Sequence, residues 1–220
     1  MGKDIQPLLQ QSISVNRLLG TKADFPYYIE KTLRLYSAMD EAYAEAAGRF
    51  GFSCSGCGDN CCEEKFYHYT LVEHLCIAGG MNLTPDEKKR EICGKAEFVK
   101  KMYDANDAGE TRGRIMCPLN FSGLCVLYEY RPMICRLHGI PHLVKKSGRP
   151  EERGPGCHQF RTGKDSPDGT VGGLDRTPFY SKMAAIEIEF RKALQFTGRY
   201  KKTVAAMVLD ISEDVLNFSV

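Results

Sequence analysis

"MCPLNFSGLCVLYEYRPMICRLHGIPHLV", residues 116 to 144, sets three cysteines among prolines and glycines, and its apolar runs are short. Brief extended pieces alternate with turns, as they do across residues 107 to 175 as a whole. Such a segment has little periodic core of its own. It holds a shape when covalent or coordinate bonds tie it down. The fold therefore turns on what these thiols bind and on what surrounds them.

The surroundings read as helix. From Phe25 to Phe50, the apolar residues Ile29, Leu33, Tyr36, Met39, Tyr43, Ala47 and Phe50 recur at threes and fours between charged ones. Asp24 and Pro26 supply a start, and Gly48 and Gly51 an end. Phe66 to Ala78 reads as a second helix, stopped by Gly79 and Gly80. A third follows to about Ala105, capped by Thr84, with Pro85 in its first turn and Asp86 and Glu87 at the positive end of the macrodipole. Gly94 is its one breaker. Residues 161 to 178, "RTGKDSPDGTVGGLDRTP", read as a loop and candidate lid. Helical order returns with Phe179, Met183, Ile186, Phe190 and Leu194, then with Val204, Met207, Val208 and Ile211. The expected fold class is mainly α: a helical scaffold with irregular cysteine-rich metal-binding loops and little β.

Bulk properties narrow the function classes. A chain of 220 residues can bury a core unaided, and one domain over residues 1–220 is expected, its cysteine-cluster core spanning 50–160. Hydrophobic content of 43% and charged content of 26% argue against wholesale disorder. A net charge of +2 gives no strong pull toward nucleic acid or an anionic membrane. The first twenty residues lack the pattern of a secretory signal, Gln6 stands where a myristoylation signal needs Ser or Thr, and no apolar run approaches the roughly 20 residues a bilayer span needs. These features predict a cytoplasmic protein. In that reducing compartment, ten cysteines point to metal or redox chemistry ahead of structural disulfides.

Eight of the ten fall in irregular sequence and form the candidate metal set: Cys54, Cys57, Cys61, Cys62, Cys117, Cys125, Cys135 and Cys157. Cys76 and Cys93 lie within helical patterns and read as small buried hydrophobes. Cys54 and Cys57 form a C-x2-C pair whose loop can turn both sulfurs toward one ion. Cys61 and Cys62 are adjacent, and neighbouring side chains of an extended chain point in opposite directions. The doublet thus suggests two sites, or one ligand with a partner thiol. Eight thiolates satisfy two four-thiolate centres, or one centre plus reserve thiols. Arg112, Arg114, Arg131 and Arg136 flank the later cysteines and are candidates to offset sulfur charge. His138, His142 and His158 are alternative ligands, whereas His68 and His74, six apart on the expected second helix, read as structural.

Taken together, the C-x2-C pair, the doublet and "CPLNFSGLCVLYEYRPMICRLHGIP" resemble the YkgJ-like cysteine-cluster family, described as zinc- or iron-chelating domains. That family carries C-x2-C-x2-CC, then C-P-hydrophobic, then C-x2-Y-x2-R-P-x2-C-R. Cys54 and Cys57 match the opening pair, Cys61 and Cys62 the doublet, and Cys117 with Pro118 the middle element. Cys125, Tyr128, Arg131, Pro132, Cys135 and Arg136 match the last. The likeness covers residues 54 to 140, with three residues, Gly58 to Asn60, before the doublet where the family usually has two. It implies metal or cluster binding without naming a reaction.

Two functions follow as expectations. One is an iron–sulfur protein holding one or two clusters, for electron transfer with a redox or protein partner or for a modification reaction. The alternative is a structural zinc protein whose metal staples the irregular region into a partner-binding surface. Closely set cysteines with few well-placed histidines favour the first. Phosphate loops, dinucleotide fingerprints, H-E-x-x-H and G-x-S-x-G are all absent, so catalytic residues are not assigned.

Overall fold

Asp24 opens the first helix, its carboxylate accepting from Tyr27 N at 3.1 Å with Pro26 in the first turn, and α1 runs Phe25–Arg49. The computed structural model describes residues 23–54, 61–163 and 173–216. Its buried side includes Tyr28, Leu35, Tyr36, Met39, Ala46 and Ala47, with Ile29, Leu33 and Tyr43 at the margin. Each large apolar side chain so enclosed contributes roughly 1.5–3 kcal/mol of transfer free energy.

The second helix departs from the expected bounds. Here α2 is Leu71–Asn82; it starts later than Phe66 and continues through Gly79 and Gly80. The glycines do not stop it because they face protein rather than a turn. A Cβ on Gly80 would lie 2.8 Å from the Tyr130 ring, and one on Gly79 would lie 3.1 Å from the Ile29 side chain. Their missing side chains admit neighbours. Since α2 is buried along Leu71 to Ala78 and again at Gly80 and Met81, it is the central helix, packed by α1 and the two C-terminal helices.

Next, α3 spans Asp86–Asp107 with Pro85 as its cap residue. Thr84 does not cap it; its hydroxyl donates to Gly80 O at 2.9 Å and so closes α2. Gly94 leaves α3 unbroken, having open space around it.

The irregular segment condenses into short pieces. Strands β1 (Asn120–Phe121) and β2 (Leu124–Cys125) make a hairpin, turned by Ser122 and Gly123 at φ 52° and 87°. A 3₁₀ turn at Tyr128–Tyr130 leads into α4 (Met133–Leu137). Strand β3 (His142–Val144) then pairs antiparallel with β4 (Glu152–Gly154) and parallel with β5 (Leu174–Asp175). Between them lies α5 (His158–Gly163). The expected loop at 161–178 is therefore helix at one end and strand and helix at the other, and its middle, 164–172, lies outside the described residues.

Finally α6 (Thr177–Ala193) packs on α1 and α2, and α7 (Val204–Leu216) on α2 and α3. Among the described residues the chain is mainly helical, with seven helices and five strands of two or three residues. Buried hydrophobic side chains from Tyr28 to Ile211 form one cluster. No described helix is long and apolar enough to cross a membrane.

The two helical glycines make opposite predictions. Gly94→Ala, in open space, should stabilise by up to about 1 kcal/mol through helix propensity. Gly80→Ala meets the Tyr130 ring and should instead destabilise by about 1–3 kcal/mol. Urea unfolding of the two variants checks both signs.

Candidate metal centre

The C-x2-Y-x2-R-P-x2-C-R element is built around one buried guanidinium. Arg136, 3% exposed, donates from Nε to Arg131 O at 2.9 Å and from Nη2 to Tyr128 O at 3.3 Å and to Glu129 O. Its Nη1 meets the carboxylate of Asp40 on α1, which also accepts from Arg131 Nη2 at 3.1 Å. Beneath it lies Tyr36, the ring centroid 4.2 Å away, while Arg131 stacks 3.8 Å from the centroid of Tyr128. One side chain thus closes the turn between Cys125 and Cys135 and fastens it to α1. From α2, the carboxylate of Glu73 accepts from Met133 N at 2.8 Å, seating the start of α4 two residues before Cys135.

Cys62 ties the two cysteine-rich segments together. Its carbonyl accepts from Cys117 N at 2.8 Å, and the carbonyl of Cys117 accepts from Asn120 N at 3.0 Å. Asn120 is the register partner of Cys125. Cys62, Cys117, Cys125 and Cys135 come within electrostatic reach of one another in every pairing. Burial pushes the Cys117 thiol up to about 12, with the neighbouring thiols adding to it. Cys135 is driven well above its ordinary value by burial and then by the other three sulfurs, and Cys125 is raised chiefly by burial. Four thiolates gathered this way repel one another, so a cation among them stabilises the charged form.

Donors suited to sulfur stand beside this set. Asn120 is 5% exposed; its Oδ1 accepts from Gly123 N at 3.1 Å, while its Nδ2 has no partner at full hydrogen-bond geometry and pulls the Cys62 thiol down. Arg131 Nε is likewise buried without a partner, and Arg131 lowers both Cys62 and Cys125 by its charge. The residues present therefore fit a sulfur-ligated metal or cluster, in donor type and in surrounding hydrogen bonding.

The doublet is not extended. Cys61 and Cys62 open a 3₁₀ turn, Cys61–Glu63, and their thiols share a hydrogen bond, which raises Cys61 and lowers Cys62. Opposite-facing side chains do not describe them, because successive residues of a 3₁₀ turn are about 120° apart. Their neighbours nevertheless differ. Cys61 is exposed and reaches Cys54 and Cys135, and the phenol of Tyr43 has Cys54, Cys157 and Cys61 around it. Cys157 N donates to Gly139 O at 2.9 Å, and Phe50 and Phe52 pack on Phe160 to bring the end of α1 to α5. Cys54, Cys61 and Cys157 thus surround Tyr43, and Cys61 also links this group to Cys62 and Cys135. Cys57 lies outside the described residues.

Other candidates sort differently. Cys76 is fully buried in α2 and Cys93 half-buried in α3, both packed with the hydrophobic core. Arg114 pairs with Glu63 at 3.4 Å and Glu64 at 3.2 Å, bracing the doublet's turn, while Arg112 is exposed. His138 packs edge-on against Phe66, and the His142 ring lies over Gly154, where a Cβ would come within 2.2 Å of it. His158 begins α5 at the surface. His68 is not helical: it forms a bridge with Lys202, whereas His74 sits within α2. Burial lowers them to about 4 and about 3, so both are neutral core groups.

Asp40, Glu73, Asn120 and Tyr43 escaped the sequence reading. Their one sequence signal is a polar group on a helix or hairpin, and their links to the cysteine-bearing segments exist only after folding. Among the described residues, no three cysteine, histidine or acidic side chains converge closely enough to constitute a finished metal site. No family model, curated protein or solved structure matches the chain.

Arg136→Lys should destabilise by about 2–4 kcal/mol, because an ammonium cannot serve the fork of carbonyls and carboxylate that the guanidinium spans. Arg49→Lys, at a surface pair, should change stability by less than about 0.5 kcal/mol. Chemical denaturation of the pair of variants tests the contrast.

Proposed function

We propose that this chain is an iron–sulfur protein in which Cys62, Cys117, Cys125 and Cys135 hold an inner cluster and Cys54, Cys57, Cys61 and Cys157 an outer one. The carrying observation is the backbone pairing that joins two cysteine segments more than fifty residues apart in sequence, with Cys117 N donating to Cys62 O at 2.8 Å and Asn120 in register with Cys125, beside which the four inner thiols raise or offset one another's charge. When bound, such clusters supply one-electron redox chemistry. The chain's own part is to keep the inner sulfurs partly shielded, place the Asn120 amide and the Arg131 cation near them, and fasten the turn that carries Cys125 and Cys135 to α1 through Arg136 and Asp40. The outer group is more exposed, with Cys54 and Cys61 at the surface, and is the side at which electrons exchange with a partner protein or a modification substrate. Closely set cysteines with few well-placed histidines lean toward sulfur-only ligation by an iron–sulfur cluster, although zinc accepts four thiolates as readily, so metal and sulfide analysis decides between them.

Anaerobically purified protein should absorb in the visible range and contain iron and acid-labile sulfide for two clusters. Cys62→Ser should remove about half of both by dismantling the inner centre, and Cys61→Ser about half by dismantling the outer one. Colourless protein with stoichiometric zinc, losing structure on chelation, would overturn this reading in favour of a structural zinc protein.

A further inference from the structure

We propose that the clasp formed by residues 66–70 and 199–203, with the imidazoles of His68 and His74 beneath it, is an acid-sensitive latch that opens ahead of the helical core when those rings take up protons. The clasp is a two-bond bridge: His68 N donates to Lys202 O at 2.8 Å, and Lys202 N donates to His68 O at 3.0 Å. Neighbouring residues face opposite ways. Tyr67 and Tyr69 are exposed, with the Lys201 ammonium 4.0 Å from the centroid of the Tyr67 ring, whereas His68 is 2% exposed and Tyr200 is buried. Closing the bridge thus buries both rings, and that of Tyr200 lies 6.0 Å from the ring of His74, itself buried on α2.

An imidazolium must donate from both of its nitrogens. Both nitrogens of His74, and Nε2 of His68, are buried without a partner at full hydrogen-bond geometry, although the Met207 carbonyl of α7 approaches His74. The charged groups nearby are engaged elsewhere. Lys202 acts on His74 as a like charge and is paired with Asp210 of α7. Tyr200 has Asp210, Glu73 of α2, and Glu187 and Arg191 of α6 within electrostatic reach. Glu73 accepts from Thr70 Oγ1 and Met133 N, and Glu187 from Val72 N and Arg191 Nε. Around His68, burial alone acts. A proton added to either ring is therefore poorly satisfied until the clasp lifts and water reaches it.

Burial lowers His68 to about 4 and His74 to about 3, from an ordinary value of 6.5. The closed form keeps its full advantage above pH 6.5 and loses it as the pH falls toward the folded-state values. The seam that gives way first is the bridge, because 199–203 is irregular and joins 66–70 through two hydrogen bonds, whereas α7 packs along α3.

Amide hydrogen exchange of the full chain, expressed as protection relative to the unfolded chain, reads the opening at His68 and Lys202. From pH 7 to pH 5 their protection should fall by about 20-fold for each imidazole that protonates on opening, and by on the order of several hundred-fold for both. It should stay below that of Met39 in α1 at either pH. His68→Gln and His74→Gln, neutral throughout, should each remove about 20-fold of the loss. Should either variant fail to fold, carbon-13 spectra of the histidine rings in the parent protein decide, since both rings should remain neutral at pH 5 while the clasp is closed. A ring charged at pH 5 in the folded protein, protection at Lys202 that ignores pH, or protection that matches Met39 throughout would overturn the latch. So would an acid response that survives both replacements.

Discussion

Arg136 is the residue on which the cysteine-bearing half of this molecule depends. A guanidinium taken almost wholly out of water is expensive unless every donor is used, and here the surrounding turn supplies the acceptors. The carbonyls of Tyr128, Glu129 and Arg131 come from the turn, the carboxylate of Asp40 from α1, and the ring of Tyr36 from the same helix. Because those acceptors converge only when the segment is folded, the cation specifies one conformation. Cys125 and Cys135, at either end of that segment, take their positions from it.

The other fastenings work by the same logic of groups that must be satisfied. Glu73 serves two helices at once, accepting from Thr70 Oγ1 at 2.5 Å at the start of its own helix and from Met133 N at the start of α4. Val72 N is in turn satisfied by Glu187 from α6 at 3.0 Å. Glycine supplies the complementary device, removing side chains where a neighbour must approach. Gly80 receives Tyr130 and Gly139 receives Tyr43, so both thiol groups are set against α1 and α2 by aromatic rings lying in gaps. A segment with little periodic core is thereby fastened where it abuts the helices. The outer sulfurs stay nearer the solvent.

Much of this is legible in residue order. The first helix was readable because Asp24, Pro26 and the apolar spacing all report local preferences that the folded chain preserves. The second helix runs past its apparent stop, since Gly79 and Gly80 carry no mark distinguishing a stop from a space for Tyr130. Adjacent cysteines in extended chain would point apart, whereas backbone pairing of Cys62 with Cys117 and the ion pairs of Arg114 accompany a 3₁₀ turn in which the two thiols meet. Arg131 and Arg136 were recognised as cations near sulfur, but Asp40, their shared partner, lies some ninety residues away on a helix that looks like ordinary scaffold.

Residue order by itself determined the helical class, the helix-breaking character of the middle segment and the identity of the thiols, because periodicity, proline and cysteine content are local properties. Tertiary structure alone decided which of those thiols are neighbours. Cys62 lies near Cys117, Cys125 and Cys135, while Cys54, Cys61 and Cys157 surround Tyr43, with Cys61 also hydrogen-bonded to Cys62. That division depends on long-range contacts made by Asp40, Glu73, Asn120 and Gly139. Each contributes through proximity, and proximity between distant residues exists only once the core has closed.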